Sequence, residues 1–287
     1  MKNIIEYFYR IAIKKIVYKD DFYIIITDDS KYIFKDIDSN NIYFLKEIQK
    51  YYYNIFHRII LNFYNEVVTD YNGKKYILMK INVIENRNVN IQDIIYVSQL
   101  LNFNNGYLRD IDKLWKYKID KFESYIVSKE SDLPMREYYD YFIGLGENAI
   151  FYYGYVNKNK ITYGFTYKRI YKEDTLYDLY DPTNIIVGPI VRGIAEYIKM
   201  SFFYGDVVSI DDILKINFNY DDAILFISRL LFPTYFFDLY KKDGCENIEK
   251  MKNIIFKSCS YEKYVYSIIE GLKKRQINLP QISWINN

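Results

Sequence analysis

The sequence contains 287 residues, of which 50% are apolar, 20% aromatic and 26% charged. This proportion of apolar side chains excludes a disordered or collagen-like chain and is enough for one large hydrophobic core or two smaller ones. The 39 basic and 37 acidic residues are interspersed along the chain, so we expect no nucleic-acid partner. No apolar run approaches the roughly 18 residues that a membrane-spanning helix needs.

Histidine and cysteine are too scarce for several common kinds of site. The chain has two cysteines, Cys245 and Cys259, and one histidine, His57. These residues cannot complete a zinc-ligand pattern, so we expect reduced thiols and no metal site. A Ser-His-Asp triad would need His57, but no G-x-S-x-G motif accompanies it. The sequence places His57 at the end of a helix beside Arg58, which predicts a capping or solvated side chain.

The first third of the chain is dominated by strand patterns. A short amphipathic helix is predicted at the N-terminus, and a second helix is predicted over residues 42–56, with residues 39–41 as capping residues. Runs rich in β-branched and aromatic residues predict strands at 22–27, 31–35, 59–63, 66–69 and 74–81. Turns are predicted at residues 28–30 and at the Asn72-Gly73 pair. The pattern therefore predicts a sheet of about five strands with one helix across it.

Helical periodicity dominates the rest of the chain. The polar segment 82–90 separates the two patterns, so we predict two domains, residues 1–85 and 86–287. One exception interrupts the helices. The runs 160–166 and 175–180 predict two short strands around a charged turn.

Several short sequence segments resemble those of a known family. They are Tyr32-Ile33-Phe34-Lys35, YFIGLGENAI at 141–150, IAEYIK at 194–199, RLLFPTYF at 229–236 and LPQISWI at 279–285. Together they resemble the spore-coat-associated branch of the aminoglycoside and choline kinase-like superfamily. The resemblance implies an α+β, protein-kinase-like bilobal fold, with a small sheet-containing N-terminal lobe and a mainly helical C-terminal lobe.

The resemblance implies ATP-dependent phosphoryl transfer only where the family's working residues are present, since the chemistry consists mostly of positioning phosphates and metal. Lys35 matches the lysine that contacts the nucleotide phosphates, and a solvated strand lysine is the open alternative. Glu47 is the only acidic residue between Ile42 and His57 and would be its partner. A helical wheel, however, places Glu47 away from the apolar face of its helix.

Other parts of the family's site are missing from the sequence. The first glycine is Gly73, so no glycine-rich loop precedes Lys35. The family's H-G-D catalytic segment matches Tyr163-Gly164-Phe165, which has no carboxylate to accept a hydroxyl proton. The position of the family's metal-binding aspartate falls on Gly188, and the Arg-Asp pair at the next helix start is Arg192-Gly193.

Asp178 and Asp181 are the remaining candidates for a catalytic or metal-binding carboxylate. They would bind magnesium only if the alignment of this sequence with the family's motif were shifted. The simpler interpretation of Asp181-Pro182-Thr183-Asn184 is a turn, because Asp, Pro and Asn each favour one.

The sequence therefore favours a catalytically degenerate kinase-fold protein that acts by binding, with no ATP or magnesium expected. The resemblance implies that the partners are other coat or assembly proteins. It also implies that the protein is synthesised in the cytoplasm of a low-GC bacterium and is located in the spore coat. The alternative is an active ATP- and magnesium-dependent phosphotransferase on a small hydroxylated substrate, built from Lys35, Asp178 and Asp181. A nucleotide-binding module without turnover is a third hypothesis.

Overall fold

The computed structural model describes residues 1–19, 22–37, 42–83, 86–102, 110–128, 138–169, 173–243 and 248–282. The chain packs as two compact units. The first unit comprises Met1–Val89 and Glu173–Ile185, and the second comprises Asn90–Lys172 and Ile186–Asn287. The predicted division into domains at residues 85 and 86 stays a prediction, but the segment 173–185, which the sequence placed in the second domain, packs with the first unit.

The first unit is built on an antiparallel sheet. Its strands are β1 (Lys15–Lys19), β2 (Phe22–Ile26), β3 (Lys31–Asp36), β4 (Arg58–Ile60), β5 (Thr69–Tyr71) and β6 (Lys74–Lys80). They run in the order β1-β2-β3-β6-β4, and β5 also pairs with β6. The predicted hairpin of β2 and β3 is confirmed. The Asn72-Gly73 turn is also confirmed, with φ angles of 51° and 74° at its two residues, as a tight hairpin turn requires.

A helix covers each face of this sheet. Helix α1 (Lys2–Tyr9) packs Ile5 and Tyr9 against Phe34 on one face. Helix α2 (Ile42–Tyr52) packs Leu45 against Ile33 on the other face. The prediction of a single helix across the sheet was therefore wrong. Because side chains alternate along a strand, Lys35 shares a face with Ile33.

The second unit is mainly helical. Its helices are α3 (Ile91–Gln99), α4 (Ile111–Ser128), α5 (Tyr139–Tyr153), α7 (Val191–Tyr204), α8 (Ile210–Leu214), α9 (Tyr220–Leu231), α10 (Thr234–Asp243) and α11 (Ile248–Lys274). Every residue of α9 from Asp221 to Leu231 is buried, so α9 is the central helix of this unit. No helix in the described ranges is long and apolar enough to cross a membrane.

The predicted hairpin of residues 160–166 and 175–180 was wrong. Strand β7 (Tyr163–Tyr167) pairs with β8 (Ile185–Pro189) instead. The run at 175–180 contains a short helix, α6 (Leu176–Leu179). The Asp178 carboxylate accepts hydrogen bonds from the backbone N–H and the hydroxyl of Thr175, both at 2.8 Å. This capping arrangement starts a helical turn and overrides the strand preference of the Leu and Tyr residues.

Candidate functional site

Lys35 and Asp181 form an ion pair inside the first unit. The Nζ atom of Lys35 donates to Oδ2 of Asp181 at 2.8 Å, and the two side chains are only 19% and 5% exposed. The other carboxylate oxygen, Oδ1, accepts from the backbone N–H of Thr183 at 2.8 Å and from its hydroxyl at 2.7 Å. Both oxygens of Asp181 are therefore already engaged by donors of this chain.

The surroundings of Asp181 keep it ionised. Burial by itself raises the pKa of this carboxyl group, but the Lys35 ammonium and the two donors of Thr183 outweigh it and hold the pKa below the ordinary value. The predicted turn is confirmed, because Asp181 caps a single 3-10 turn at Pro182–Asn184. The carboxylate thus serves two purposes at once, as a cap and as the counter-charge of Lys35.

His57 fixes the same segment to the sheet. Its backbone N–H donates to the carbonyl of Tyr180 at 2.9 Å, and its Nε2 lies 2.9 Å from the carbonyl oxygen of Tyr177. Since a carbonyl oxygen can only accept, Nε2 carries the proton. The predicted solvated or helix-capping His57 was wrong, because α2 ends at Tyr52 and the side chain is 1% exposed. Burial lowers the pKa of His57, against the opposing charge of Asp181.

The other candidate residues have different surroundings. Asp178 is the capping carboxylate of α6, and its main-chain carbonyl accepts from the side-chain amide of Asn184. Glu47 is half-buried on α2, whereas the acid that pairs with Lys35 is Asp181. The structure therefore brings Lys35 and Asp181 together and leaves Glu47 out of the pair. The roles assigned to these residues from the sequence stay predictions.

The segment that matches the family's catalytic motif lies in β7. Phe165 is 2% exposed and belongs to the hydrophobic core. A Cβ atom on Gly164 would lie 2.4 Å from the carbonyl oxygens of both Ser98 and Leu101, so close backbone packing requires a glycine there. Gly188 is buried in β8. Gly164 and Phe165 therefore have packing roles in this chain.

The donors around Asp181 bear on whether this carboxylate could bind a magnesium ion. Magnesium prefers octahedral coordination by oxygen and is usually held through carboxylates. Among the residues that the structure describes, no three His, Cys, Asp or Glu side chains lie close enough to hold a metal ion. The three donors supplied by Lys35 and Thr183 already take up most of the lone pairs of the Asp181 carboxylate.

Comparison with known proteins defines the fold. No protein-family model matches the sequence, and no curated protein matches it. Among solved structures, an aminoglycoside phosphotransferase from Alicyclobacillus acidocaldarius subsp. acidocaldarius matches with a TM-score of 0.72 and 10% identity, over 92% of this chain and 93% of its own. The chain has the kinase-like α+β fold predicted from its sequence.

Two structures of a spectinomycin phosphotransferase match less closely. The AMP-bound complex has a TM-score of 0.57 at 12% identity, over 88% of this chain and 93% of its own. The complex with ADP and spectinomycin has a TM-score of 0.55 at 11% identity, over 88% of this chain and 91% of its own. At these identities the likeness is one of fold.

Sequence reasoning did not connect Lys35 with Asp181, or His57 with the backbone at 177–180. Two local signals were present. Thr175 and Asp178 have the spacing of a capping box, and Asp181 and Thr183 have the spacing of an Asx turn. Together they predict a folded segment with an ordered carboxylate, although neither signal identifies Lys35 as its partner.

We expect Lys35→Met to lower the free energy of unfolding by about 3 kcal/mol, because Asp181 would remain buried without its counter-charge. If Lys35 were an ordinary solvated strand lysine, the same substitution would lower the free energy of unfolding by less than about 0.5 kcal/mol. Lys75→Met is the matched control, since Lys75 and Asp70 are also 2.8 Å apart but are 37% and 69% exposed. It should cost less than about 1 kcal/mol. Urea denaturation measures both costs, and equal costs would contradict a structural role for the Lys35 pair.

We also expect the free energy of unfolding to fall as the pH is lowered from about 7 to 5. His57 is the only histidine. In the unfolded chain it takes up a proton near its ordinary pKa of 6.5, whereas in the folded chain its lowered pKa keeps it neutral. The loss therefore begins near pH 6.5 and ends at the lower, folded pKa.

Asp181 does not contribute to this change, because its pKa is at or below its ordinary value of 3.8 in both states. The control variant is His57→Gln, which cannot titrate in this range. A pH dependence that persists unchanged in His57→Gln would show that other groups cause it.

Proposed function

We propose that this chain is a kinase-fold protein that acts by binding and does not transfer phosphoryl groups. The observation that carries the proposal is Phe165. It stands where the resemblance places the catalytic aspartate, and its side chain is buried in the hydrophobic core. A phenyl group cannot accept the proton of a substrate hydroxyl.

The charges that precede Lys35 support the same proposal. The sequence between β1 and β2 is Asp20-Asp21, and the turn between β2 and β3 contains Asp28 and Asp29. Loops that bind phosphate present glycine-rich backbone N–H groups and avoid negative charge. The sequence that precedes Lys35 thus contains paired aspartates and no glycine, unlike a phosphate-binding loop.

A second candidate is an active phosphotransferase on a small hydroxylated substrate, with ATP and magnesium bound by Lys35, Asp178 and Asp181. The observation that favours it is the direct contact of Lys35 with Asp181, since a lysine and a carboxylate are the groups that hold phosphate and metal in kinases. In this function a metal ion would share the Asp181 carboxylate with Lys35 and Thr183, or displace one of them. Both carboxylate oxygens of Asp181 already accept hydrogen bonds from Lys35 or Thr183, which argues against this function.

We expect no magnesium-dependent consumption of ATP and no stabilisation by nucleotide. A ligand at one hundred times its dissociation constant would add about 2.7 kcal/mol to the free energy of unfolding, so thermal melting with AMP, ADP and ATP detects binding. Stabilisation without ATP consumption would favour the nucleotide-binding module instead. Turnover that is lost in Lys35→Ala and in Asp178→Ala or Asp181→Ala would establish the phosphotransferase.

We propose further that the protein is made in the cytoplasm and becomes part of the spore coat, with other coat or assembly proteins as partners. This proposal is supported by the sequence segments around Tyr32, Tyr141 and Arg229, which resemble the spore-coat-associated branch. A tagged copy should accumulate during sporulation and fractionate with the spore envelope. A protein that is abundant only in growing cells would contradict the coat assignment.

A further inference from the structure

Strand β1 forms one edge of the sheet in the first unit. It pairs with β2 on one side, in a continuous register from Lys15 to Lys19. In an antiparallel ladder, alternate backbone N–H and C=O groups of an edge strand point away from the strand that it pairs with. Four of the five residues of β1 are exposed. The edge therefore presents a row of hydrogen-bonding groups to which a further strand can be added.

The opposite edge of the sheet is less suited to this use. Strand β4 has three residues, and its central residue, Ile59, is buried. The five residues of β1 span about 17 Å and offer more backbone groups to a partner. Proteins protect exposed edges by short strands, by bulges or by lysine side chains. No bulge interrupts β1 between Lys15 and Lys19, so its lysines are the remaining protection.

These two lysines also make the edge positively charged. Lys15, Val17 and Lys19 share one face of β1, because side chains alternate along a strand, and all three are exposed. Among the residues that the structure describes, neither Lys15 nor Lys19 has an ion-pair partner, whereas Lys14 pairs with Asp28 at 2.9 Å. Both ammonium groups are therefore available to carboxylates of another molecule.

The spacing of the lysines disfavours a second copy of this chain as the occupant. Antiparallel pairing of two β1 strands centred on Val17 would place Lys15 opposite Lys19 of the second copy, and like charges directly opposite are destabilising. Parallel pairing in register would place each lysine opposite its own counterpart. A strand with two acidic residues four positions apart would instead place a carboxylate opposite each lysine.

The other face of β1 favours apolar residues in the added strand. Ile16 is partly buried and packs against the hydrophobic cluster that contains Ile25 and Phe34. Tyr18 lies beside Tyr23, with 4.9 Å between their ring centroids, and is itself 63% exposed. Apolar side chains of an added strand would extend this cluster and cover part of the exposed ring.

We propose that β1 binds an extended segment of a partner protein by strand addition, and that this segment has two acidic residues four positions apart with apolar residues between them. The backbone of β1 supplies the hydrogen bonds, and Lys15 and Lys19 select the acidic side chains. This inference rests on the proposed function, because it assumes that the protein acts by binding.

The probe is the blocked peptide Ser-Glu-Ile-Val-Ile-Glu-Ser, titrated into the full chain. Hydrogen exchange of the β1 amides measures binding, and the amides of α9 are the internal reference. Strand addition should protect every second amide of β1, since the others already face β2. The comparison peptides have glutamine or lysine in place of both glutamates, or have N-methyl groups on the three central residues. We expect weaker protection by the glutamine peptide and none by the lysine or N-methylated peptides.

Charge variants test the role of the lysines. Lys15→Gln combined with Lys19→Gln should weaken the glutamate peptide about tenfold, because two exposed ion pairs are lost, and should leave the glutamine peptide unchanged. Lys116→Gln combined with Lys121→Gln is the matched control, since both lysines are exposed on α4 in the second unit. Lys15→Glu combined with Lys19→Glu should reverse the preference and favour the lysine peptide.

Protection by the glutamine or lysine peptide equal to that by the glutamate peptide would overturn the proposal, as would protection by the N-methylated peptide or by no peptide at all. Protection of β1 in the free protein that increases with protein concentration would assign the edge to a second copy and would also overturn it. None of these outcomes depends on ATP, so they leave the proposed absence of phosphoryl transfer to its own test.

Discussion

The ion pair between Lys35 and Asp181 joins two parts of the sequence that are 146 residues apart. It attaches the segment 173–185 to the face of the sheet that α2 covers. Backbone hydrogen bonds continue the attachment, from Val89 to Asp174 and from Leu176 to Arg87. The first unit therefore consists of two stretches of sequence, and removing Lys35 would leave Asp181 buried without its counter-charge.

The same contact shows how Lys35 and Asp181, the candidate phosphate- and metal-binding residues, can have a structural role in a kinase-like fold. A lysine and an aspartate that could bind phosphate and metal instead satisfy each other, and Thr183 supplies the remaining donors. Elsewhere, Phe165 contributes to a hydrophobic core and Gly164 allows two main-chain segments to approach closely. Lys35, Asp181, Gly164 and Phe165 thus each have a structural role in this chain.

Local patterns predicted the local features of the fold well. The alternation in β2 and β3, the Asn72-Gly73 turn and the buried residues Leu45 and Ile48 of α2 all follow from neighbouring residues. Strand β1 was not predicted, because it lies at the edge of the sheet and four of its five residues are exposed. It therefore has no apolar face to signal its register.

The candidate site was harder to predict because its contacts are long-range. The resemblance implied an acidic partner for Lys35 on the crossing helix, where Glu47 is the only acidic residue between Ile42 and His57. Nothing local indicated that Asp181 would be folded against the sheet. The burial of His57 likewise depends on the carbonyl of Tyr177, which is 120 residues away. The hydrophobic periodicity of a single sequence does not indicate which distant residues contact each other.

Hydrogen exchange of the backbone amides in the segment 173–185 tests the central claim most directly. If the Lys35–Asp181 pair is a structural tether, Lys35→Met should accelerate exchange throughout this segment, and magnesium with ATP should not change exchange in the wild type. The amides of β2 and β6 provide the internal reference. Exchange that is unaffected by Lys35→Met, or that slows in the wild type when magnesium and ATP are added, would contradict the account.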